Sequence, residues 1–105
     1  MSGRHPWSLS DLAVTYVRLG NHAAAEAIHG ELVSRAKMER IQPSAIALAA
    51  ICAGQLDEAI ALCDQAIRER DGYIRWAAFE DRWDGWQPLH RHPQWKGVMQ
   101  RIIAW

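Results

Sequence analysis

Two histidines one residue apart, His90 and His92, with Asp84 nearby, are the only cluster in the chain that resembles a set of metal ligands. A zinc site needs three or four ligands with partners behind them, and this trio does not reach that pattern. No metal is therefore assigned. His29 falls on the packed face of a helical segment and reads as a hydrogen-bonded, half-buried histidine, while His5 and His22 read as surface residues. Cys52 and Cys63 both lie inside helical segments and behave as small apolar side chains, reduced rather than paired. Ser8, Ser10 and Ser44 sit at helix starts, where a hydroxyl caps free backbone N–H groups. No glycine-rich phosphate loop, nucleophile–base pair or apolar carboxylate pair occurs, so the sequence offers no catalytic residue and implies no cofactor.

Most of the six tryptophans fall in the C-terminal third. Trp76, Trp83, Trp86 and Trp95 could in principle stack nucleic-acid bases. Twelve basic residues cancel twelve acidic ones, however, and that removes the electrostatic attraction which dominates such binding. These tryptophans are read as core and capping residues, with neither nucleic acid nor membrane as a partner. At 105 residues the chain makes one domain, large enough to bury a core without disulfides. There is no apolar run of the roughly 20 residues needed to span a bilayer. The opening Met-Ser-Gly-Arg-His-Pro has no signal-peptide core. With reduced thiols, this implies a cytoplasmic location.

The elements that position these residues follow a repeat. Gly20 and Gly54 lie 34 residues apart, and Ser10/Ser44, Ala13/Ala47, Ala25/Ala59 and Ala27/Ala61 are identities at that offset. Leu12/Ile46, Val14/Leu48, Val17/Ile51 and Ile28/Leu62 are close equivalents. A period of 34 marks a helix–turn–helix unit that hides its apolar face only by stacking on a neighbour. Ser8, with Asp11 three residues on, is expected to cap a first helix that Gly20 ends. Asn21 caps a second helix running to about Arg40. Pro43 suits the first turn of a third helix, stopped by Gly54, and a fourth helix runs from Leu56 to a stop at Gly72 with Asp64–Arg68 paired along it. Beyond Gly72 the period breaks. A short aromatic helix is expected over Tyr73–Arg82, an irregular single turn at Trp86–Leu89, and a last helix from Pro93 to about Ile103 with Trp95, Val98, Met99 and Ile102 on one stripe.

The spacing Leu9-x2-Leu12-Ala13-x2-Tyr16…Ala25-x3-His29, repeated as Pro43-x2-Ile46-Ala47-x2-Ala50…Ala59-x3-Cys63, resembles the tetratricopeptide repeat. The expected fold is all-α, a right-handed helical solenoid of two such hairpins plus a C-terminal capping segment. Repeat one covers about 6–39, repeat two about 40–73 and the cap about 74–105. From Pro43 to Ile103 the chain is similar to the repeat segments that end many bacterial signalling proteins: winged-helix regulators, class III adenylate cyclases and serine/threonine kinases. Gly54-Gln55-Leu56-Asp57-Glu58-Ala59 and Trp86-Gln87-Pro88-Leu89-His90-Arg91-His92-Pro93-Gln94-Trp95 carry that likeness. In those relatives phenylalanines take the places of Trp86 and Trp95, and an aspartate that of His92, so the resemblance makes His92 a turn or helix-capping residue. It implies a non-catalytic interaction or regulatory role, with no DNA-binding, cyclase or kinase part in this sequence.

In repeats of this kind the first helix of each pair lines a concave face. The inward positions are then Trp7, Ser10, Val14, Val17 and Arg18 from the first helix. Ile41, Ser44, Leu48, Ile51 and Cys52 come from the third, and Arg75, Phe79 and Arg82 from the fifth. Val14, Val17, Leu48 and Ile51 form an apolar stripe, and an exposed apolar strip marks an interface unless the chain's own packing shields it. The expectation is a groove for a peptide or helix of another protein, with homodimerisation as the alternative. Of the clamp with which some relatives hold a terminal carboxylate, only Arg75 stands in a matching place, which argues against that ligand.

Overall fold

Proline opens two of the helices, since its fixed φ suits a first turn and its missing N–H would have had no partner there. In the computed structural model, which describes residues 5–74 and 86–104, α1 spans Pro6–Arg18 and α3 spans Pro43–Cys52. The cap of α1 is not Ser8 but His5, whose Nδ1 accepts from the Trp7 N–H at 3.1 Å; Ser8 and Asp11 lie inside the helix that Pro6 starts. Asn21 caps α2 (His22–Arg35) as expected, its Oδ1 accepting from the Ala24 N–H at 3.2 Å. This helix stops at Arg35 rather than Arg40. Lys37 and Met38 donate three residues back, to Ser34 and Arg35, and the tightened turn swings Ile41 into the core.

Three helices end in one motif. After α1, the N–H of Gly20 donates to Val17 at 3.0 Å and that of Asn21 to Tyr16 at 2.8 Å, with Gly20 at φ +80°. After α3, Gly54 and Gln55 repeat the pattern onto Ile51 and Ala50, with Gly54 at φ +79°. After α4 (Leu56–Arg68) the left-handed place falls to Arg70 at φ +59°, and Asp71 donates to Ala66 at 2.8 Å. Gly72, the expected stop, lies two residues too late for that place and instead begins a 3-10 turn, Gly72–Ile74. The rest of the expected Tyr73–Arg82 helix lies outside the described residues. Two further helices follow, α5 (Gln87–His90) and α6 (Trp95–Ile103), the latter beginning two residues after Pro93.

These six helices pack in antiparallel pairs. Helix α1 lies on α2, α3 on α4, and α3 also leans on both helices of the first pair. Helix α4 carries α5 and α6. Two core clusters result, and α3 supplies both. Ala45 and Ala49 meet Leu9, Ala13, Ile28 and Leu32 on one side. Ala47, Leu48 and Ile51 meet Cys63, Ile74, Trp86 and Leu89 on the other. Trp95, Val98 and Ile102 are buried and Met99 packs beside them, the stripe expected of the last helix. Among the described residues, no helix is long and apolar enough to cross a membrane.

Candidate functional site

Helix α3 reads Pro-Ser-Ala-Ile-Ala-Leu-Ala-Ala-Ile-Cys, apolar all round, and a helix of that kind is one that protein surrounds on every side. The structure buries it from Pro43 to Ile51. This decides the fate of the expected groove. Ser10, Ser44 and Leu48 are wholly inaccessible, and Val14 and Ile51 are about as deep. Val14, Leu48 and Ile51 share one core with Ile74, Trp86 and Leu89, residues that follow the second hairpin. The apolar stripe is therefore covered by the chain's own C-terminal part, and it is not an open groove. Ile41 is likewise buried. Of the expected inner-face residues, Trp7, Val17 and Cys52 keep part of their surface and Arg18 is exposed. Arg75, Phe79 and Arg82 lie outside the described residues.

The two serines at the repeat-equivalent position do interior work. The Ser10 hydroxyl donates to the Ala45 carbonyl at 2.7 Å, tying α1 to α3. The Ser44 hydroxyl donates to Asp71 Oδ2 at 2.6 Å, and the Ser44 N–H donates to the same oxygen at 3.0 Å. Asp71 Oδ1 also accepts from the Tyr73 N–H at 3.1 Å. Gln42, the residue before α3, makes no side-chain cap of its own. Asp71 thus caps α3 from the far end of the hairpin, a role that could have been suspected only from an acid placed just past α4. At the adjoining edge the Trp7 indole donates to Gln42 Oε1 at 2.8 Å and packs on the Tyr73 ring with centroids 5.2 Å apart.

The histidines are similarly engaged. His92 accepts from the Gln94 N–H through Nδ1 at 3.1 Å, as the resemblance implied, and meets Asp57 Oδ1 through Nε2 at 2.7 Å. His5 uses its Nδ1 in the same way, and both sit before proline, a signal shared by the two dipeptides that marks His5 as more than a surface residue. His90 stacks on Trp95 with centroids 4.7 Å apart. His29, half-buried, pairs with Glu58 across the two hairpins. Among the described residues no three histidine, cysteine or carboxylate side chains converge; Asp84 is not one of those residues.

Burial pushes the Cys52 thiol up to about 11. Burial, reinforced by the Asp71 charge, pushes Cys63 up to about 12. Neither is a thiolate nucleophile near neutral pH. The Arg101 guanidinium beside Asp64 holds that carboxyl below the usual carboxylate range, with Arg68 at 3.0 Å adding to the effect. Most of these polar contacts tie one element to another.

A hairpin of two antiparallel helices, closed by a glycine in the left-handed region and stacked on a second of the same plan, has one further observation to set beside it. Residues 7–38 match the model of the tetratricopeptide repeat. The matched segment is α1 and α2 with their connecting turn, so the first hairpin is where the repeat is recognised. No curated protein and no solved structure matches the chain. Tetratricopeptide repeats present surfaces to other proteins, and a protein-interaction module is what the match suggests.

Proposed function

We propose that this chain is a non-catalytic protein-interaction module, a regulatory or scaffold component that takes a peptide or helix of another protein on the inner side of α1 and α3. The observation that carries this reading is the tetratricopeptide match at residues 7–38, in a hairpin that stacks on a second of the same plan. The partner reads the accessible part of the inner side. Trp7 stands at one end and Val17, Arg18 and Cys52 at the other; Arg75, Phe79 and Arg82, which lie outside the described residues, are assigned to the same ligand from the sequence alone. Ser10, Val14, Ser44, Leu48 and Ile51 support this surface from beneath and do not touch the ligand. Repeat one is assigned to about 6–39, repeat two to about 40–73 and the cap to about 74–105. The likeness of 43–103 to segments that end bacterial signalling proteins makes a regulatory partner in the cytoplasm the natural one.

A photo-cross-linking residue at Arg18, on the inner side, and one at Ser34, on the exposed face of α2, tests the assignment. A defined protein captured from the source cells through position 18 and not through 34 is the expected result. Equal capture at both positions, or at neither, would overturn it.

A further inference from the structure

At the ends of α1 and α3 the left-handed place is filled by glycine, and at the end of α4 it is filled by Arg70. Nothing inside the chain uses that arginine. Its side chain is exposed and makes no hydrogen bond or ion pair among the described residues. A side chain kept in a conformation that favours glycine, with no internal contact to hold it there, points to a contact outside the chain. Arg70 lines a cleft of about 410 Å³ together with Gln42, Gly72 and Tyr73. We propose that this cleft is a carboxylate site, in which Arg70 pairs with an acidic side chain of a peptide whose neighbouring residues lie against Trp7 and Tyr73. The inference rests on the interaction reading above and gives the bound peptide its chemistry.

The acids of the cleft are already engaged. Glu69 is held by Arg40 at 2.7 Å and by Gln65 at 2.7 Å. Asp71 is buried and uses its two oxygens on Ser44 and on the Tyr73 N–H. Arg70 is left as the one cation of the cleft without a counter-charge among the described residues. With two carboxylates in the same wall, a doubly charged phosphate is repelled more than a single carboxylate, so the site suits the latter. A planar guanidinium takes a carboxylate through two parallel hydrogen bonds. Gln42 supplies a further donor. Its Oε1 accepts the Trp7 indole N–H, and its amide NH2 has no partner among the described residues. Tyr73 is 48% exposed, with its ring on that of Trp7, and offers the stem of the acid an apolar wall. The cleft is therefore continuous with the Trp7 end of the inner side. It lies on the turn after α4, away from the inner helix positions of the terminal-carboxylate clamp.

A blocked glutamate, acetylated and methylamidated, titrated into isotope-labelled protein at constant ionic strength tests the site by NMR. Saturable shifts of the Gly72 and Tyr73 amides are expected, with a Kd on the order of 10 mM, and blocked glutamine and inorganic phosphate should each bind at least about fivefold more weakly. Arg70→Gly should lose most of the response to blocked glutamate while its urea midpoint rises, a combination that a merely structural role would not give. Arg70→Lys, which keeps the charge, should retain part of the response. A native chain without saturable shifts, an equal response to glutamine or phosphate, or an unchanged response in Arg70→Gly would overturn the proposal. Capture through position 18 is measured without this probe, so the two readings fail separately.

Discussion

Asp71 accepts hydrogen bonds from the Ser44 hydroxyl, the Ser44 N–H and the Tyr73 N–H while almost fully buried. Removing it strands a buried hydroxyl and a helix-start N–H, and Asp71→Ala should cost about 1–3 kcal/mol in urea unfolding. Arg70 presents the opposite case. A side chain is held at φ +59° in a place that favours glycine, so Arg70→Gly should raise stability by about 1 kcal/mol. Cys63 provides a chemical check. With its thiol pushed up to about 12, it should resist labelling by a disulfide reagent at pH 8 and react at once in denaturant. The linkage has a definite sign. A thiol kept protonated only in the folded state favours unfolding as pH rises past its ordinary value of roughly 8.5, so stability should decline above that pH.

At the scale of the helix, small residues set the distance between the members of each pair. Ala25 and Ala59 are wholly buried at equivalent positions of α2 and α4. Leucine at either should overpack its hairpin and cost about 1–3 kcal/mol by thermal or urea unfolding. Helix α6 is held differently, by an apolar stripe with polar ties at its two ends, His92 to Asp57 and Arg101 to Asp64. Because the folded state lowers the Asp64 value, that tie contributes above the ordinary carboxylate range of about 4 and is lost as pH falls through the lowered value. A carboxyl titration followed by NMR should show Asp64 titrating low in the native chain and higher in Arg101→Ala, where Arg68 alone still lowers it.

Across the whole molecule the two repeats differ where one faces solvent and the other faces its neighbour. Ala45 and Ala49 of α3 are buried against the first hairpin, whereas Asp11 and Thr15, at the equivalent positions of α1, are exposed. The leading face of α1 thus carries exposed polar residues where that of α3 carries buried alanines. Asp11→Ala with Thr15→Ala should make that face resemble the stacking face of α3. Light scattering should then show mass that keeps growing with concentration, since head-to-tail contacts do not close, while the helical content stays unchanged.

The 34-residue period, the left-handed glycines at 20 and 54, the Asn21 cap and the stripe of the last helix were all legible in the sequence, because each depends on neighbours within a turn or two. The position of His5 as a cap and the early end of α2 were not read, although the first shares its His-Pro signature with His92. What only the tertiary structure decided is which faces see water. Periodicity tells that Val14, Leu48 and Ile51 share a stripe, but not what lies over it. The answer came from Ile74, Trp86 and Leu89, beyond the repeat and outside its pattern. The same is true of Asp71, which reaches a helix start 27 residues away in sequence. Local spacing specifies helices and their turns; whether an apolar face becomes a groove or a core depends on contacts between residues far apart in the chain.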